Sequence, residues 1–177
     1  MRNIRIMYQY DGSKYYGFQR QKNKDTVQGD IEKIVFSKFN EKINMTSSGR
    51  TDRGVHALGQ VSNFSISKRI PLDAIKQQIN KTLRGKVKIL SIEEIHADFN
   101  ARFDAKRRTY LYVLKNESKI TPFEAPYVTS IKEEIDIDKL QLIFQPLTGV
   151  HDFSSFAKKD EAMRNPVREI YSIDCYY

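Results

Sequence analysis

The residues best suited to chemistry lie together in one short polar segment. Asp52 stands between two arginines, Arg50 and Arg53, with glycines at positions 49 and 54. Glycine permits unusual backbone angles or a close approach to a ligand, and arginine can hold a phosphate or a neighbouring carboxylate. The spacing allows two interpretations: an ionised Asp52 beside a sugar-phosphate, or an ion-paired aspartate in an ordinary turn.

Basic side chains form two further clusters along the chain. The first contains Lys14, Arg20, Lys22 and Lys24, interleaved with Tyr15, Tyr16 and Phe18. The second contains Arg102, Lys106, Arg107 and Arg108. Lysine and arginine can contact phosphates, and aromatic rings can stack on bases. The clusters indicate an RNA-binding surface, with solvated basic loops as the alternative.

The composition favours a polyanionic partner. Lysine and arginine number 30 against 22 acidic residues, which gives a net charge of +8 and a pI of about 9.5. The single cysteine, Cys175, allows neither an intramolecular disulfide nor a thiolate zinc site, and we expect it to be a packed strand residue in a cytoplasmic protein. No stretch reaches the roughly 20 apolar residues of a membrane helix. His151-Asp152 completes no metal-ligand set, so we expect no metal.

These residues must be positioned by a framework that the hydrophobic periodicity predicts. Alternation predicts strands near residues 4–10, 45–50, 58–66 and 87–95. Helical spacing predicts a helix from a Thr26 cap to about Phe39, and another from Pro71 that ends before Gly85. The resulting order is the split βαβ pattern of ferredoxin-like α+β domains, an antiparallel sheet with helices on one face. We assign this domain to residues 1–104.

Residues 105–177 are predicted to form part of a second domain of similar kind. Alternation predicts strands over Thr109–Leu114 and Val167–Tyr177, and a helix is predicted from about Asp136 to Leu147. A complete second unit would still need a helix and a strand. We therefore expect an incomplete second domain.

Four segments resemble the motifs of the TruA-type tRNA pseudouridine synthases, and they occur in the order typical of that family. They are residues 10–21 followed by Thr26-Val27-Gln28, residues 49–57, residues 99–102 followed by 108–112, and residues 149–156. Phe18 stands where the family usually has tryptophan. The chain is identified as a member of this family, and we expect it to lack the family's C-terminal part.

The resemblance implies a reaction and roles for three residues. The bond from sugar C1′ to base N1 breaks, the base turns over, and a bond to C5 forms. Substrate and product are isomers, so no cofactor is expected. Asp52 would be the essential carboxylate, acting either as a nucleophile or as a base that removes a sugar proton. Tyr110 would lie against the target base as a candidate for proton transfer at C5, and Arg50 would fill the space that the flipped base leaves.

The resemblance also implies partners. The substrate would be tRNA, modified in the anticodon stem-loop at positions 38–40, and the whole protein would be a homodimer. Residues expected to contact the RNA are Arg53, Arg20, Lys14, Arg102, Arg107, Arg108 and His56. For His56 the alternative is that it only shapes the loop. The family's third motif has no counterpart here, so we expect this chain alone to be weak or inactive.

Two other function classes compete with the isomerase. A non-catalytic RNA-binding module would gain little from Asp52, because a carboxylate repels phosphates. A metal-dependent phosphodiesterase is disfavoured because the chain has only three histidines and few clustered carboxylates.

Overall fold

The structure is a computed structural model that describes residues 1–156 and 165–177. The chain divides into two compact units. The first consists of Met1–Val113 with Thr121–Val128, and the second of Leu114–Ile120 with Thr129–Tyr177.

The first unit is built on a four-stranded antiparallel sheet. Its elements, in chain order, are β1 (Arg2–Tyr10), α1 (Val27–Phe39), β2 (Thr46–Ser47), β3 (Ala57–Ile66), α2 (Leu72–Thr82) and β4 (Val87–Ile95). The strands lie in the order β2-β3-β1-β4, and each neighbouring pair is antiparallel. The predicted ferredoxin-like α+β architecture is confirmed.

The core lies on one face of this sheet. The even-numbered residues of β1 from Ile4 to Tyr10 are all buried, as their alternation predicts. They form one cluster with Ile31 and Val35 of α1 and with Ile75 and Ile79 of α2. Both helices therefore cover the same face, which leaves the loops at the ends of the strands to carry the site.

The two helices begin where their sequences predict. The Thr26 side chain caps α1 by accepting a hydrogen bond of 3.2 Å from the Gly29 amide. Asn40 ends α1 in the left-handed region, with φ at 50°. Pro71 stands immediately before α2, a position that needs no amide hydrogen.

Within its described residues, the second unit contains one α-helix and four short strands. They are β5 (Leu114–Asn116), β6 (Thr129–Ile131), α3 (Ile137–Phe144), β7 (Gly149–Asp152) and β8 (Val167–Ile170). β5 pairs with β6 in parallel, and β7 pairs with β8 antiparallel. Asp136 caps α3 by accepting a hydrogen bond from the Lys139 amide at 3.1 Å, which confirms the predicted start of that helix.

Three strand predictions are wrong in extent. The strand predicted near residues 45–50 is only two residues long, Thr46–Ser47. Residues 109–113 form no strand, and β5 begins only at Leu114. Alternating residues become a strand only when another strand pairs with them, and the described residues provide no partner for 109–113. The strand from Val167 stops at Ile170. Cys175 therefore lies outside a strand and is only partly buried; its amide donates to the Gln141 side chain instead.

Candidate active site

Asp52 lies in the segment that leads from β2 into β3, and residues 48–56 are called the aspartate loop here. The loop turns back on itself because the Val55 amide donates to the Asp52 carbonyl at 3.3 Å. Gly54 has a φ of +84°, in the left-handed region that favours glycine. The Asp52 side chain is exposed. Across residues 1–156 and 165–177, no cationic group forms an ion pair with its carboxylate.

A second loop, residues 11–25, packs against the aspartate loop; it is called the first loop here. A Cβ on Gly12 would overlap the Val55 carbonyl oxygen, so the two backbones meet with no room for a side chain. Gly17 has a φ of +109° and lies close to the backbone of Thr51 and Arg53. The close approach explains why position 12 is glycine, and the positive φ explains why position 17 is glycine.

Hydrogen bonds join the same two loops around Thr51. The Phe18 amide donates to the Thr51 carbonyl at 3.0 Å. The Tyr10 hydroxyl lies 2.8 Å from the Thr51 hydroxyl. Burial raises the pKa of Tyr10, so this phenol stays protonated at neutral pH. The residue before Asp52 is therefore held through both its backbone and its side chain.

His56 holds the other end of the aspartate loop. Its Nδ1 accepts from the Gly12 amide at 3.1 Å, and its Nε2 lies 2.9 Å from the Pro126 carbonyl. Nδ1 also lies 3.2 Å from Oδ1 of the Asp11 carboxylate. The ring also lies 4.9 Å from the Tyr127 ring. Of the two roles considered for His56, its contacts are those of a residue that shapes the loop.

Asp11 lies beside His56 and Tyr127 and contacts both of them. Its carboxylate accepts from the Ser13 amide at 3.0 Å and the Ser13 hydroxyl at 2.6 Å, and from the Tyr127 hydroxyl at 3.2 Å. Partial burial raises the pKa of Asp11, but the bonds from Ser13 and Tyr127 and the nearby His56 outweigh it, so the pKa is lowered. The bond to Asp11 and its charge raise the pKa of Tyr127. The roles of Asp11 and Tyr127 were not predicted from the sequence.

The start of the aspartate loop is held from β3 and from the second basic cluster. The Gln60 amide group donates to the Gly49 carbonyl at 2.9 Å, and the Ser48 hydroxyl donates to Gln60 at 2.7 Å. Arg108 donates to the Ser48 carbonyl through Nε at 2.9 Å and Nη2 at 2.6 Å. Arg108, predicted to contact RNA, is thus engaged in holding the loop.

Three of the predicted basic residues meet at one cleft beside the aspartate loop. Arg20, Arg50 and Arg102 line it, from three separate parts of the chain. The cleft has a volume of about 300 Å³, and its remaining lining includes Phe18, Gln28, Met45, Thr46 and Ser47. Three guanidinium groups at one cleft suit an anionic ligand.

The other predicted site residues do not line this cleft. The Arg53 guanidinium lies over the Tyr16 ring at 4.7 Å, and the Lys24 ammonium lies over the same ring at 4.3 Å. Lys14 and Arg107 are exposed. Tyr110 is 71% exposed in a segment without regular secondary structure.

Among the described residues, no group of three or more histidine, cysteine, aspartate or glutamate side chains is placed to hold a metal ion. No helix in the described ranges is long and apolar enough to cross a membrane.

Comparison with known proteins identifies the class to which this fold and loop belong. Residues 6–104 match a family described as tRNA pseudouridine synthase. The chain belongs to this family, whose members are isomerases.

Named relatives agree with this family assignment, and they share one more specific name, tRNA pseudouridine synthase A. A tRNA pseudouridine synthase A from Caldicellulosiruptor saccharolyticus is 39% identical over 176 residues, which are 99% of this chain and 71% of the relative. Proteins of the same name from Caldicellulosiruptor bescii and Borrelia turicatae are 37% and 38% identical; each match covers 97% of this chain and 70% of the relative. The resemblance to the TruA type, inferred from four motifs, is confirmed.

Proposed function

We propose that this chain converts uridine to pseudouridine in tRNA, with Asp52 as the catalytic carboxylate. The observation that carries the proposal is Asp52 itself, which is exposed and, within the described residues, unpaired. Its loop is held through the backbone of Ser48 and Thr51 and through the side chain of His56. A carboxylate that serves only to stabilise a turn would be expected to accept hydrogen bonds from it. This one is left available, while the loop around it is fixed.

The chemistry requires little beyond a positioned carboxylate and a held base. The C1′–N1 bond breaks, C1′ bonds to C5, the C5 proton leaves and N1 takes up a proton, so atoms balance without a cofactor. Asp52 acts either as a nucleophile or as a base toward a sugar proton, and both routes use its ionised form. The target uridine must first leave the RNA stack, at a cost of a few kcal/mol.

Arg50 is proposed to compensate for the departure of the base. It lies two residues before Asp52 and lines the cleft beside the loop. A planar guanidinium can stack on the bases that flank the vacated position while it contacts phosphate. Tyr110 is proposed to take part in proton transfer at C5. Its exposed ring is accessible to a bound base.

The basic residues are proposed to supply most of the affinity for RNA. Arg20 and Arg102 would contact phosphates at the cleft, and Lys14, Arg53 and Arg107 would do so at the surface around it. Arg108 and His56 would act mainly by holding the aspartate loop. Affinity for tRNA should therefore fall steeply with salt.

We propose four finer features. Modification in the anticodon stem-loop at positions 38–40 and a homodimeric whole protein rest on the resemblance. A cytoplasmic location rests on the single cysteine, and a division into domains at residues 104 and 105 rests on the hydrophobic periodicity. We also propose that this chain alone is weaker than a version extended to the length of its relatives.

The deciding experiment measures tritium release from C5-tritiated uridine in unmodified tRNA. Asp52→Ala should abolish release without changing the thermal melt, because Asp52 is exposed and unpaired within the described residues. Asp73→Ala, an exposed aspartate on α2, is the matched control and should retain release. Salt-sensitive tRNA binding without release, in both this chain and an extended version, would favour the non-catalytic RNA-binding module instead.

A further inference from the structure

Behind the arginine-lined cleft lies a buried carboxylate that the proposed reaction does not use. Glu32, on α1, is only 7% exposed. Its Oε1 accepts from the Gln28 side chain at 2.8 Å and from the Met45 amide at 3.0 Å. Its Oε2 accepts from Arg20 Nη1 at 2.8 Å. A buried charge is costly unless it is paired and hydrogen-bonded, and Glu32 meets both conditions.

These bonds join three segments that form one wall of the cleft. Gln28 belongs to α1, Met45 directly precedes β2, and Arg20 belongs to the first loop, and all three line the cleft. Glu32 does not line it. A single side chain behind the wall therefore fixes the relative positions of three groups on its surface.

Arg20 is the exposed member of this set. Its side chain is 60% exposed although it is anchored at Nη1. A guanidinium carries five N–H donors, so the bond to Glu32 leaves others directed elsewhere. An exposed arginine without an anchor would lose rotamer freedom on binding, and that loss lowers its affinity for a ligand. Glu32 removes part of that loss before the ligand arrives.

We propose that Glu32 is a positioning residue that holds Arg20 at the cleft to receive a phosphodiester of bound RNA. The inference rests on the proposed function, because it takes RNA as the ligand. Arg50 and Arg102 supply the further positive charge of the same cleft, so the site remains cationic after Glu32 neutralises one guanidinium.

Whether Glu32→Gln strengthens or weakens tRNA binding distinguishes a positioning role for Glu32 from a purely electrostatic effect. Glu32→Gln removes a negative charge, so long-range electrostatics alone would tighten RNA binding. The glutamine oxygen can still accept from Gln28 and Met45, but its amide group offers Arg20 no acceptor. Positioning therefore predicts weaker binding of unmodified tRNA. The expected loss is about four- to fivefold at 150 mM salt, and the salt slope should fall by about one phosphate contact.

The matched control is Glu93→Gln. It makes the same charge change on β4, the strand at the sheet edge opposite β2, in an exposed pair with Arg5. It should leave tRNA affinity unchanged or slightly increased. Equal weakening by both substitutions would overturn the inference.

A double-mutant cycle tests whether Glu32 acts through Arg20. Arg20→Gln alters an exposed side chain and should weaken tRNA binding by the same factor as Glu32→Gln. The double variant should bind no more weakly than either single one. Additive losses would show that Glu32 is merely structural and would overturn the inference, as would parental affinity and slope in Arg20→Gln. Tritium release that still depends on Asp52 would, in either case, leave the proposed function standing.

Discussion

The contact between Gly12 and the aspartate loop can be tested by adding one methyl group. In Gly12→Ala the new Cβ would overlap the Val55 carbonyl oxygen and lie 3.0 Å from the Gly54 carbonyl carbon. Both neighbours are backbone atoms, so no side-chain rotation relieves the overlap. Non-bonded carbon and oxygen atoms need a separation of roughly 3.5 Å. Residues 54–55 must therefore move by on the order of 1 Å.

That movement should displace Asp52, because the Asp52 carbonyl accepts a hydrogen bond from the Val55 amide. A displacement of about 1 Å at a reacting group can lower a rate about 100-fold, equivalent to about 2.7 kcal/mol of transition-state stabilisation. We expect Gly12→Ala to lower single-turnover tritium release by this order. Affinity for tRNA should change much less, because Gly12 does not line the arginine cleft.

The control is Gly59→Ala on β3, where an added Cβ meets no atom within 4 Å. It should release tritium at the parental rate. The measurements are single-turnover release with saturating enzyme and a thermal melt of each variant, in this chain or in a version extended to the length of its relatives. A Gly12→Ala variant that keeps both the parental melt and the parental rate would refute the argument that this contact positions Asp52.

Three further predictions follow from other contacts of the site. Tyr10→Phe removes the hydroxyl bond to Thr51 and should lower the unfolding free energy by about 1 kcal/mol in denaturant titrations; an unchanged value would mean that this bond contributes nothing. Arg50→Lys loses the planar stacking surface and should slow tritium release by about fivefold or more, and wild-type turnover would contradict that role. The lowered pKa of Asp11 means that its contribution to stability is present above its usual pKa of 3.8 and is lost as pH falls through the lowered value. Between pH 6 and pH 3, Asp11→Asn should therefore lose less unfolding free energy than the parent, and equal losses would disprove the linkage.

The parts of the fold that local physics determines were predicted well. The Thr26 cap and the alternation of β1 each depend on residues close together in sequence, so the elements followed directly. The strand predicted at Thr109–Leu114 failed for a different reason. Alternation shows which side of a strand would be buried, but it does not show whether another strand pairs with it.

Most of the contacts that hold the site could not be predicted from the sequence. Gly12 was part of a motif, but its contact with Val55 joins segments more than 40 residues apart and depends on how two loops pack. The sequence predicts Glu32 only as a polar residue on an amphipathic helix. In the structure it is buried, and it accepts hydrogen bonds from Met45 and Arg20, which lie in other segments of the chain. The role of Asp52 could be predicted from its neighbours in the sequence, whereas the contacts that hold its loop are visible only in the structure.

The amide of Phe18 offers a way to observe the aspartate loop over time. Its hydrogen is bonded to the Thr51 carbonyl, so it can exchange with solvent deuterium only when the two loops separate. Its protection factor measures the free energy of that opening, which can lie well below that of global unfolding. Hydrogen exchange at this one position would therefore report how much of the time Asp52 is held in place, without substrate and without any substitution.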